Sequence, residues 1–127
     1  LRAAADDINT SFQLARLQAV RENAPVVIRL DNANDRLIVF LDDGAGGGIA
    51  GDRLQSGGEQ IFKQVEMPAG IDLDGNQDWF GYTGRGMPLG AAGSVTLENS
   101  RSEHLGVRTN IVGNPRFIHS NDGMNWT

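Results

Sequence analysis

Apolar residues return every three or four positions through the first two dozen residues: Leu1, Ala4, Ala5, Ile8, Phe12, Ala15 and Ala19. On an α-helix these positions share one stripe. Leu14, Leu17 and Val20 form a second apolar row, and at about 100° per residue Leu17 points nearly opposite Leu1 and Phe12. The helix should stop at Asn23-Ala24-Pro25, because Asn accepts the left-handed conformation and Pro cannot continue the hydrogen-bond ladder. A helix on the outside of a monomer needs only one apolar face. The second row is therefore expected either to touch another molecule or to lie under a second layer of the same domain.

Beyond Pro25 the helical spacing is lost. Val26 to Leu30 and Arg36 to Leu41 are β-branched, apolar runs joined by the turn residues Asp31 to Asp35, which predicts a hairpin. Asp42 to Gly48 is too rich in glycine for regular structure. Further strands are predicted around Ile61, Phe62 and Val65, at Ile71 and Leu73, and over Trp79 to Thr83. Gly84 to Gly93 is turn material. Val95 and Leu97 alternate with polar residues, as do Leu105, Val107, Thr109 and Ile111, and a last strand follows over Arg116 to His119. One long helix followed only by strands and turns is an α+β plan, with residues 1–24 as helix and residues 25–127 as an antiparallel head.

The 127 residues suffice for one domain with a core of its own. A net charge of -5 argues against nucleic-acid binding through overall charge. With no cysteine there is no disulfide framework, thiolate metal site or thiol nucleophile. No run approaches the roughly 20 apolar residues that span a bilayer. The chain starts without Met, inside the helical pattern and with no capping residue ahead of Leu1, so a preceding segment is expected.

Several short stretches then take on a common meaning. They are Ala15-Arg16, Ala19-Val20-Arg21 and Asn23-Ala24-Pro25-Val26 at the helix end, Val39 to Asp42, and Gly51-Asp52-Arg53-Leu54. They continue with Phe80 to Gly84, Gly93 to Asn99 and Val107 to Arg116. In these the chain resembles the GspH/FimT family of minor pseudopilins and minor pilins, within the type IV pilin-like superfamily. Two features differ. The Gly-Arg pair usual near the family's C-terminus is split here, with Asn114-Pro115 between Gly113 and Arg116. The prepilin-peptidase site and apolar N-terminal segment, which members carry just ahead of the point where Leu1 begins, are not in this sequence.

The resemblance implies a pilin-like α+β fold, with the Leu1/Phe12 stripe on one face of a sheet over Val27 and Val39. It implies a structural subunit of a type II secretion pseudopilus or type IV pilus, at or near the filament tip. The partners would be other pilins or pseudopilins and the inner-membrane assembly platform. The anchor would be the segment before Leu1, and the head would be periplasmic. No reaction and no cofactor are implied. Leu14, Leu17 and Val20 would then be the subunit contact. Some minor pilins of this kind serve DNA uptake, and Arg101, Arg108 and Arg116 are the residues that could form a basic patch for it; Glu98, Glu103 and Asp122 stand against that patch.

Catalytic chemistry finds little support. His104 and His119 are the only histidines, and Ser120-His119-Asp122 is adjacency in sequence rather than triad geometry. There is no nucleophile elbow, phosphate loop or zinc spacing. Asp72, Asp74, Asn76 and Asp78 alternate as the first ligands of a calcium loop do. Gln77 stands where that loop needs glycine, and Thr83 where it needs a bidentate Glu. A polar hairpin tip that caps its own backbone is the preferred reading of this stretch.

Overall fold

The computed structural model describes residues 2–31, 33–44, 55, 57–75, 77–89, 93–101, 103–109, 114–120 and 126–127. Helix α1 (Arg2–Glu22) covers the stretch of three- and four-residue spacing and buries Ala4, Ala5, Ile8, Ser11, Phe12, Ala15 and Ala19 along one face. Leu1 lies outside the described residues. Ser11 is accommodated in that stripe because its hydroxyl donates to the Asp7 carbonyl one turn back, at 2.7 Å.

The helix ends where the sequence predicts. Asn23 takes a φ of 50°, its N–H donates to the Val20 carbonyl, and the Ala24 N–H donates to the Ala19 carbonyl, each at 3.3 Å. This paired closure is a Schellman motif, with Ala24 packed on the core and Pro25 barring a further turn.

Nine strands follow among the described residues: β1 (Val26–Asp31), β2 (Arg36–Leu41), β3 (Ile61–Glu66), β4 (Asp72–Gly75), β5 (Trp79–Tyr82), β6 (Pro88–Leu89), β7 (Ser94–Glu98), β8 (His104–Thr109) and β9 (Pro115–Ser120). They form two antiparallel sheets, one in the order β3-β2-β1-β5-β6 and the other β4-β7-β8-β9. β6 falls in the stretch that reads as turn, because two residues carry no periodicity. Ile111, which continues the alternation of β8 on paper, lies outside the described residues.

Strand pairing sets Ile28 between Val39 and Phe80. These residues join Val26, Leu30, Leu37 and Tyr82 in the cluster that packs on α1. Phe12 meets Phe80 edge to face, with ring centroids 5.3 Å apart. The second sheet contributes Leu73, Val95, Leu97 and Val107 to the same cluster, so α1 lies across both sheets. Each large apolar side chain buried this way contributes about 1.5–3 kcal/mol.

β1 reads Val-Val-Ile without alternation because both of its faces are covered. Val27 pairs with Phe40; both are fully buried, yet neither belongs to the cluster around the helix. Val27 thus faces away from α1, whereas Val39 faces it. Pairing Val27 with Val39 as two helix-facing positions is corrected accordingly.

Asp35 ties the sheets together. Its carbonyl accepts the Met67 N–H at 2.9 Å and its carboxylate accepts the Leu73 N–H at 3.1 Å. The turn after β5 folds back onto the helix end. A Cβ on Gly84 would lie 2.6 Å from the Asn23 carbonyl carbon, closer than any side chain can sit.

Candidate functional site

The second apolar row opens into an arc. Successive members are three residues apart, so each steps about 60° around the helix and Leu14 and Val20 fall on opposite flanks of Leu17. Leu17 is 63% exposed and Val20 51% exposed, while Leu14 is half-buried. Met87, 49% exposed, extends the arc from the turn after β5. Its neighbour Gly86 sits so close to Val20 that a Cβ there would lie 3.1 Å from Val20 Cγ2.

On the Val20 flank the arc borders a groove of about 540 Å³ between α1 and the start of β9, lined mainly by Phe12, Arg16, Leu17, Val20, Tyr82 and Pro115. Arg16 forms one wall. Its Nη1 donates to Asn114 Oδ1 at 2.6 Å, and its guanidinium carbon lies 5.8 Å from the centre of the Tyr82 ring. Burial pushes the Tyr82 phenol up to about 12, partly offset by the positive charge of Arg16. A neutral phenol and a held guanidinium give the groove an apolar body with one fixed cation. No local pattern marks it: Arg16 and Asn114 are 98 positions apart, and Tyr82 reads simply as a strand aromatic.

Two of the four candidate calcium ligands are strand residues. Asp72 and Asp74 lie on β4, opposite Glu98 and Thr96 of β7, and Asp74 Oδ1 accepts the Gly75 N–H at 2.8 Å. Asp78 is exposed and uses its carbonyl to accept the Leu30 N–H at 2.8 Å. Asn76 lies outside the described residues. Asp72, Asp74, Asp35, Glu98, His104 and Trp126 border a polar cavity of about 490 Å³ on the outer face of the second sheet. Among the described residues no three His, Asp or Glu side chains converge to hold a metal ion.

Two of the three arginines come together. Arg108 and Arg116 stand directly opposite each other in the β8–β9 pair. Arg101 lies in the turn before β8, where its N–H donates to Asn99 Oδ1 at 3.0 Å. Arg108 is seven positions further on, towards the other end of β8. Strand register puts Arg108 and Arg116 on the same sheet face as Asp72, Asp74 and Glu98, so that face carries both signs of charge.

The site is thus a half-exposed helix beside an apolar groove, with no converging catalytic or metal-binding groups among the described residues. Comparison with known proteins gives this arrangement its context. Residues 4–113 match the family described as Type II transport protein GspH. The chain belongs to the GspH family. Its fold is similar to that of the minor pseudopilin EpsH from the type 2 secretion system of Vibrio cholerae, with a TM-score of 0.69 at 14% identity over 93% of this chain and 95% of that one. It is similar also to the type IV minor pilin FimU of Pseudomonas aeruginosa, with a TM-score of 0.68 at 14% identity over 92% and 91% of the two chains. No curated protein matches it in sequence. Family membership makes this GspH-family protein a structural subunit of the pseudopilin and minor-pilin kind, and the expected α+β pilin-like fold is the one observed.

Proposed function

We propose that the protein is a minor pseudopilin or minor pilin that enters its filament near the tip through the exposed arc of α1, with its head in the periplasm. The observation that carries this reading is a helix with one face closed on both sheets and Leu17 left 63% exposed on the other. No helix among the described residues is long and apolar enough to cross a membrane. In this reading the subunit is anchored in the inner membrane and handled there by the assembly platform. Leu17 and Val20 present the surface for neighbouring subunits, with Leu14 on the far flank. The alternative role in DNA uptake would rest on Arg108 and Arg116 without Arg101.

The test is Leu17→Asp in the full-length protein, read as recovery of sheared filaments and as secretion of a type II substrate. A charge desolvated between packed helices should abolish assembly. Loss of secretion with surface pili intact would assign the pseudopilus, and the reverse would assign the pilus. Filaments recovered at the parent level would remove the arc as the contact.

A further inference from the structure

The face of the first sheet turned away from α1 carries a charged row. Arg29 and Asp31 follow Val27 along β1 at two-residue steps and so share its face. Strand register sets Arg29 between Ile38 of β2 and Trp79 of β5, and sets Asp31 opposite Arg36. Arg29 and Arg36 are therefore diagonal neighbours, about 7–8 Å apart at their Cβ atoms. Both are half-buried.

Asp31 is already engaged. Its Oδ2 accepts Arg36 Nε and Asn34 Nδ2, each at 2.9 Å. Asn34, and after it Arg36, hold the Asp31 carboxyl below the usual carboxylate range, so Asp31 stays an anion and is spent on one guanidinium. The Nη groups of Arg36 and the whole guanidinium of Arg29 have no hydrogen bond or ion pair among the described residues. On a flat surface water would serve them. Here they border a cavity of about 390 Å³ whose other walls include Ile38, Phe40 and Gln55.

Two cations and one anion leave this cavity with a single net positive charge, on a chain whose net charge is -5. That balances a monoanion. A dianion such as phosphate would bring a second charge that nothing offsets, close to Asp31. The planar fork of an arginine matches the two oxygens of a carboxylate, and Ile38 and Phe40 offer apolar surface to the carbon chain behind it.

We propose that this cavity binds one aliphatic carboxylate, its two oxygens forked onto the Arg29 guanidinium and reached by Arg36 Nη, with its carbon stem on Ile38 and Phe40. An acidic side chain of a partner protein and a free aliphatic acid both present this group. The site is independent of the filament reading, because it faces away from α1.

NMR of the arginine Nε–Hε resonances tests the site, with butyrate as the probe. Butyrate should move the Arg29 resonance saturably at millimolar concentration, and Arg29→Gln should weaken binding at least about tenfold. Inorganic phosphate should bind more weakly than butyrate, and Asp31→Asn should move that preference towards phosphate. Shifts that never saturate, an affinity unchanged in Arg29→Gln, or tighter binding of phosphate by the parent would overturn the proposal. Should Arg29→Gln not fold, Arg29→Lys takes its place, since it keeps the charge and loses the planar fork. Butyrate binding should weaken there too, and an unchanged affinity would contradict the forked pairing. A short peptide amide with one glutamate separates the two sources. Tighter binding than butyrate assigns a partner's acidic side chain, and weaker binding assigns a free aliphatic acid. Binding of neither would remove the site.

Discussion

The two faces of α1 obey different rules. The inner face is built from Ala4, Ala5, Ala15 and Ala19 around Ile8 and Phe12, all buried. Small residues let the helix backbone sit close to both sheets, and the two large ones fill the space that remains. The outer arc has Leu17 and Val20 in water, and burying such side chains is worth about 1.5–3 kcal/mol each that folding of the head does not recover. Apolar area that folding leaves unused is available to association. One helix can therefore carry the core of a domain and the contact of an assembly, provided the two sets of residues are separated around its axis.

The separation can be broken first at Phe12. Phe12→Ala should cost about 3–5 kcal/mol, because it opens a cavity against Phe80 at the centre of the core. Leu17→Asp should leave the isolated head within about 1 kcal/mol of the parent. Thermal melting of the two variants measures the contrast, and equal destabilisation would make α1 a buried helix on both sides.

A smaller effect is expected where the turn after β5 holds the helix end. Gly84→Ala puts a methyl group against the Asn23 backbone and should cost about 1–3 kcal/mol through the shift it forces. A melt indistinguishable from the parent would mean that the helix terminus moves freely and that the position of Val20 is not fixed by this contact.

The smallest effect is expected on the second sheet, away from both faces of the helix. With Asp72 and Asp74 in a regular strand, millimolar calcium should leave the melting temperature where chelator leaves it. A rise by mass action would restore the 72–78 stretch as a cation site.

The helix was legible because its signals agree: spacing, an Asn able to turn left-handed, and a Pro two residues on. The Asp31 to Asp35 hairpin and the alternation of β7 were legible for the same reason. The side to which Val27 points was not, since a continuous apolar run covered on both faces has no period to read. Nor could sequence separate Leu14 from Val20, which needs knowledge of how wide the sheets sit beneath the helix. The alternating aspartates at 72 and 74 read as the start of a calcium loop or as a polar hairpin tip, whereas the structure puts both on β4, paired with β7. The groove joins the helix to a segment 98 positions away, and no local pattern encodes that meeting.

The exposed arc as an assembly surface is tested most directly by the reactivity of a thiol at its centre. In Leu17→Cys, the only thiol in the chain, a water-soluble maleimide should react rapidly with the isolated head. The same position should be protected in intact filaments and become reactive again when they are dissociated. Equal labelling of head and filament would contradict the assignment.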